Sequence, residues 1–203
     1  MPENAHATEC TTVFDPASRE PTSSLREVLV GAWALVSCVE TDVMTGEVFL
    51  PMGDAPRGFI LYTPDGYMSA QLSSPDRANF ADDDMYKGLA DEYTAAGKSY
   101  LAYSGPYHVD EAQRTVEHGM AISLFPNWTG DRQLRIVELD GDILRLHTDG
   151  PSMFNGSLKN ATVTWRRAAP NLCLDPADAD RAHLDQAATV SVGAALLRCL
   201  PSL

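Results

Sequence analysis

The 203-residue chain is informative first for what it lacks. None of its four cysteines, Cys10, Cys38, Cys173 and Cys199, forms a CxxC pair, and no closely spaced Cys and His pairs offer a zinc site. Buried or incidental thiols are the expectation, with a disulfide from Cys10 or Cys173 to Cys199 left open. Basic residues are scarce, 15 against 28 acidic ones, for a formal charge of -13. That sign repels phosphate backbones and anionic bilayers, so neither nucleic acid nor membrane is an expected partner. No apolar run is long enough to span a bilayer, and residues 1–24 lack the basic start and apolar core of a signal peptide. A cytoplasmic location is therefore expected. A Gly-rich phosphate loop, a Gly-x-Ser-x-Gly elbow and a His-Glu-x-x-His motif are all missing, which disfavours those enzyme classes. No cofactor and no metal are expected. Asp82-Asp83-Asp84 imitates a metal cluster, but adjacent carboxylates point apart, and a helix start explains them better.

What is present is mostly strand. Residues 1–24 are polar and read as a flexible arm. Ser24 and Glu27 form a capping-box pattern before Leu25, Val28 and Leu29, predicting a short helix that Gly31 closes. The apolar period then becomes two. Strands are expected over 32–40, 48–50, 58–63, 66–72, 101–109, 115–123, 133–139, 143–148 and 161–167, separated by tight turns such as Thr63-Pro64-Asp65-Gly66 and Asp140-Gly141. Between them, Met85, Leu89, Tyr93 and Ala96 fall on one helical stripe over 82–102. Residues 169–203 read as an appended C-terminal helical extension, leaving 25–168 as the main domain. Connections this short cannot carry parallel crossovers. An all-β antiparallel sandwich or up-and-down barrel follows.

Three ordered blocks select between these. They are Pro56 to Ala70 (PRGFILYTPDGYMSA), Phe125-Pro126-Asn127-Trp128, and Leu139-Asp140-Gly141-Asp142-Ile143-Leu144, preceded by Gly31-Ala32-Trp33. Over roughly residues 28–168 the chain resembles the lipocalin-like domain family of bacteria and fungi. The resemblance implies an up-and-down lipocalin-like β-barrel, here of eight or nine strands with one helical insertion; the appended helix falls outside the resemblance and is expected as an addition able to cover one barrel end. The resemblance also implies Trp33, Leu35 and Ser37 facing inward, Trp33 near the closed end. Microbial relatives of this fold include proteins that bind reactive polyketide or terpenoid intermediates and steer their cyclisation.

The candidate site follows from strand faces, since inward positions alternate in a barrel. Val116, His118, Met120 and Ile122 form the more apolar face of their strand, so His118 is expected inside, as a satisfied core histidine or as a general acid/base. For 143–148, inward leucines would leave His147 in solvent, whereas the reversed register would bring it to His118. Leu134 and Ile136 are the apolar pair beside Arg135, which favours a surface salt bridge; an inward Arg135 would orient a carboxylate or enolate. In the second hairpin strand, Met68, Ala70 and Leu72 oppose Tyr67, Ser69 and Gln71. The expectation is that the polar set, with Tyr62, lines a pocket. His118, Tyr62 and Tyr67 are then the candidate catalytic residues. Ser69, Gln71, Tyr103, Trp128, Arg135, Phe154 and His147 are the candidate substrate contacts, with Tyr107 and Phe125 adding aromatic surface.

Two functions of different class are compatible with such a barrel. The first is a cofactor-independent isomerase or cyclase that folds a hydrophobic biosynthetic intermediate into a reactive conformer. The second is a carrier that releases a lipophilic ligand unchanged. A packed barrel serving as an interaction protein is a third. The expected partner is a hydrophobic small molecule, and a homodimer is compatible with the sequence.

Overall fold

In a computed structural model, residues 23–170 are described. Cys10, Cys173, Cys199, the expected arm through residue 22 and the expected C-terminal helix lie outside them. The elements in chain order are α1 (Leu25–Leu29), β1 (Gly31–Asp42), β2 (Val48–Phe49), β3 (Arg57–Tyr62), β4 (Tyr67–Ser73), α2 (Ala90–Lys98), β5 (Tyr100–Asp110), β6 (Thr115–Gly119), β7 (Ile122–Ser123), a 3-10 turn (Pro126–Trp128), β8 (Arg132–Asp140), β9 (Ile143–Thr148), β10 (Ser152–Phe154) and β11 (Ser157–Arg167). The order β1-β3-β4-β5-β6-β8-β9-β11 closes where β11 pairs with β1, giving an eight-stranded antiparallel barrel. β2, β7 and β10 are short additions pairing with β1, β5 and β11. Closure leaves the eight strands without a free edge.

Turn chemistry sets the hairpins. Gly66, with φ of 98°, donates its amide to the Thr63 carbonyl at 3.1 Å, and Thr63 in turn donates to the Tyr67 carbonyl at 2.8 Å. Gly141 takes φ of 56° between the paired residues Asp140 and Ile143.

One end of the barrel is plugged. Ser24 and Glu27 make the capping box that starts α1, and Leu25 and Leu29 are buried beneath it. The Glu111 carboxylate, from the β5–β6 turn, accepts from the Leu25 and Arg26 amides at 2.7 and 3.0 Å. The Trp33 indole donates to the Leu29 carbonyl at 2.9 Å, and the Arg167 guanidinium lies 3.9 Å from the Trp33 ring centroid while donating to the Val28 and Val30 carbonyls. The Gly-x-Trp block is a closing device for the barrel end.

Strand β1 corrects an expected face. Leu35 pairs with Trp165 and Ser37 with Thr164, so Val36 is an extra residue, a β-bulge. Trp33 and Leu35 face inward as expected. Beyond the bulge the alternation flips, burying Cys38 and Asp42 and turning Ser37 away from the core. The flip also brings Glu40 to the interior wall, where its carboxylate lies 3.3 Å from the Lys159 ammonium. Lys159 is 2% exposed, and its ammonium sits 3.8 Å from the centroid of the Phe49 ring. A lysine this buried needs such a partner.

The helical insertion is shorter than its apolar stripe suggests. Only Ala90–Lys98 is helical, with Glu92 accepting from the Leu89 and Ala81 amides. Met85 and Leu89 lie outside it and are exposed, and α2 itself buries none of its residues. Asp82-Asp83-Asp84 therefore does not start a helix: Asp82 accepts from the Asp84 amide and Asp84 from the Tyr86 amide, in local turns. Likewise Ile122 does not continue the inward face of β6. The strand ends at Gly119, and Ile122 is 68% exposed on β7. Among the described residues no helix is long and apolar enough to cross a membrane.

Candidate functional site

The interior-facing residues of neighbouring strands build a polar string inside an apolar barrel. On β6, Val116 and His118 point inward, as expected. Across the β6–β8 ladder, His118 pairs with Gln133 and Val116 with Arg135. Paired residues share a face, so Gln133 is the direct neighbour of His118 and Arg135 its diagonal neighbour. Leu134 and Ile136 are the exposed set, at 38% and 42%. The apolar pair of β8 thus faces outward and Arg135 inward, the reverse of the surface salt bridge favoured by hydrophobicity alone. Tyr62, 2% exposed, directs its hydroxyl to His118 Nε2 at 2.8 Å.

Electrostatics keep this string uncharged apart from the arginine. Burial, and then the positive charge of Arg135, push the His118 imidazole down to about 3, so it is neutral at physiological pH. Burial raises the Tyr62 and Tyr103 hydroxyls above their ordinary range. A neutral imidazole has one N–H and one lone pair, and Tyr62 engages only Nε2. His118 Nδ1 is buried with no hydrogen-bond partner, as is Trp165 Nε1. Each is a polar handle without a protein acceptor or donor.

Aromatic rings connect this interior to the open end. Towards the plugged end Tyr107 meets Tyr62 edge-on at 4.9 Å between centroids; towards the open end Tyr103 lies 6.2 Å from His118, and Trp128 packs edge-on against Tyr103 at 6.0 Å and Phe125 at 5.6 Å. Beyond Trp128 a cavity of about 460 Å³ is lined by Phe125, Trp128, Gln133, Arg135, Met153 and Phe154, with Arg132, Thr148 and Asp149 also on its wall. That volume holds one small molecule. The Arg135 guanidinium donates to Gln133 Oε1 at 2.6 Å and to the Leu134 carbonyl at 3.4 Å.

The candidate residues divide cleanly. Tyr62, His118, Tyr103, Arg135, Trp128 and Phe154 belong to the interior or its open-end cavity. Tyr67, Ser69 and Gln71 do not line the interior, which is a correction. Met68, Ala70 and Leu72 are buried instead, and Tyr67 is 58% exposed. The alternation of β4 is uninterrupted, so filling the barrel with Met68, Ala70 and Leu72 places the polar set outside. Ser69 and Gln71 border a separate outer-face cavity of about 420 Å³ with Phe59, Leu61 and Tyr100. His147 is also corrected: Leu144 and Leu146 face inward, and His147 lies outside against Thr162 Oγ1 at 2.9 Å and Glu138 Oε2 at 3.3 Å. Gln133, Cys38, Glu40 and Lys159 are interior residues that the strand patterns missed. Lys159 was legible in principle, since it keeps step with Trp165 along β11. Among the described residues no group of three metal-ligating side chains could hold an ion.

Comparison with known proteins points the same way as the architecture. The sequence model of a family described as a lipocalin-like domain matches residues 30–168. A protein of Aspergillus oryzae named 4'-hydroxy-3'-methoxypropiophenone carrier protein is 35% identical over 106 residues, which span 49% of this chain and 96% of that protein.

Proposed function

Because the chain belongs to the lipocalin-like domain family, we propose that it is a carrier that takes one oxygenated aromatic small molecule of secondary metabolism into the open end of its barrel. The observation that carries this reading is the cavity bounded by Phe125, Trp128 and Phe154, whose aromatic wall continues through Tyr103 to Tyr62 and His118. Aromatic walls supply the apolar contact and a few polar groups fix orientation. The carrier name of the similar Aspergillus protein supports the same ligand class. Titration with 4'-hydroxy-3'-methoxypropiophenone tests it. Saturable quenching of the Trp128 fluorescence is expected, with Trp128→Phe as the control and the ligand recovered unchanged. Absence of saturable binding overturns the reading.

Catalysis of an isomerisation or cyclisation is the second reading, favoured by the buried Tyr62–His118 pair with His118 Nδ1 unpartnered. What moves it to second place is basicity. A histidine held at about 3 is a feeble general base at neutral pH. An accumulated biosynthetic intermediate that cyclises no faster with protein than without it removes this reading and leaves the carrier intact.

A further inference from the structure

Resting on the carrier reading, we propose that the ligand is an acidic hydroxyl conjugated to a carbonyl, such as an acylphenol, and that the barrel holds it as the anion with its oxygen against the Arg135 guanidinium. Gln133 is the positioning residue: its side-chain oxygen takes one guanidinium N–H at 2.6 Å and fixes the plane of the rest. An arginine carries five N–H donors, and Arg135 engages only two neutral acceptors, both on its own strand. Two other cations towards this end are matched. Arg132 pairs with Glu117 at 2.9 Å, and Lys159 with Glu40 at 3.3 Å. Among the described residues no carboxylate pairs with Arg135.

An unmatched guanidinium on a cavity wall demands either water or an anionic oxygen, and it favours a planar, delocalised one. The second observation is independent of it. His118 Nδ1, on a side chain with no exposed surface, is an unpartnered polar atom on the adjoining strand. His118 does not itself line the cavity, so its free nitrogen marks a polar interior directly behind the Gln133 and Arg135 wall. The ionisable groups facing Arg135 are His118 from β6, Tyr62 from β3, Tyr103 from β5 and Cys38 from β1. Burial keeps each of them uncharged. Asp149, on the cavity wall, is the one carboxylate there that would repel the anion.

A para carbonyl delocalises the phenolate charge, so an acylphenol ionises more readily than tyrosine, whose pKa is about 10. An opposite charge within contact lowers such a value by roughly 1 to 3, although partial burial opposes the shift. The low end of that range, about a tenfold gain in ionisation constant, is the effect expected. The ligand proton leaves to bulk water through the open end. Because the anion binds better, affinity rises with pH until the free phenol is itself ionised, and is flat above that point.

The test uses the full chain with 4'-hydroxypropiophenone and its methyl ether. The phenolate absorption band is followed against pH at saturating protein, and binding is measured separately by tryptophan quenching. The expected result is a bound midpoint about one pH unit below that of the free phenol, while the ether binds with no such pH dependence. Arg135→Gln returns the midpoint to the free value, whereas Arg135→Lys retains the shift. Quenching with an unshifted or upward-shifted midpoint in the wild-type protein overturns this inference alone. Failure of both compounds to bind overturns it together with the carrier reading.

Discussion

The Tyr62 hydroxyl and His118 Nε2 meet at 2.8 Å although their strands, β3 and β6, do not pair with each other. The contact exists only because the sheet curls shut, and it has a pH signature. In the unfolded chain the imidazole takes a proton near its ordinary value of 6.5, whereas in the barrel burial delays protonation to about 3. Between those values the unfolded state binds the additional proton. Stability is therefore full above about pH 6.5 and falls as pH drops toward 3, by at most about 1.4 kcal/mol per pH unit. Urea unfolding at pH 7.5 and 5 should show this loss, and His118→Phe should remove it. An undiminished slope in His118→Phe would assign the acid sensitivity elsewhere. Tyr62→Phe strands His118 Nε2 and should cost about 1–3 kcal/mol at neutral pH.

Ligand contacts should follow the faces that the closed barrel dictates. Trp128→Ala removes the wall between the cavity and Tyr103, and affinity for the propiophenone should fall about tenfold, equivalent to about 1.4 kcal/mol. Tyr67→Ala and Gln71→Ala change only the outer face, and affinity should stay within about twofold. Isothermal titration of the three variants decides it, and a tenfold loss in Tyr67→Ala would refute the placement.

Cys38 owes its interior position to the Val36 bulge. Burial, reinforced by the Glu40 carboxylate, pushes its thiol up to about 11. Relative to an ordinary thiol at 9.0, about a hundredfold less thiolate is available at pH 8. With Cys10, Cys173 and Cys199 changed to serine, modification by a disulfide reagent should be at least that much slower in the native protein than in urea. Equal rates would mean that Cys38 is not held inside.

Gly105 and Gly119 record how closely β5 and β6 approach. A Cβ on Gly105 would run into the Gly119 carbonyl, which is backbone and cannot move aside. Gly105→Ala should destabilise the barrel by about 1–3 kcal/mol or prevent folding. Gly97→Ala, on α2 with nothing within 4 Å, should be neutral or stabilising by up to about 1 kcal/mol. Thermal unfolding of the pair provides the comparison.

Much of this barrel is legible locally. Period-two runs, the Thr63–Gly66 and Asp140–Gly141 turns and the Ser24–Glu27 capping box are short-range signals, and each appears where its residues stand. Inward Trp33, Val116 and His118 follow from the same alternation and from the family resemblance. The candidate site was only half legible, because deciding which face looks inward is not a local property. In β4 the apolar set is inside and the polar set outside; in β8 the apolar Leu134 and Ile136 are outside and Arg135 is inside. No hydrophobicity rule yields both. The sequence alone determined most of the strands, their turns and the family, although β10 is not among the expected strands and the one expected over 115–123 ends at Gly119. Closure of β11 on β1 and one inserted residue at Val36 decided the faces, because each strand's register is set by its two neighbours and a shift of one residue turns every later side chain over.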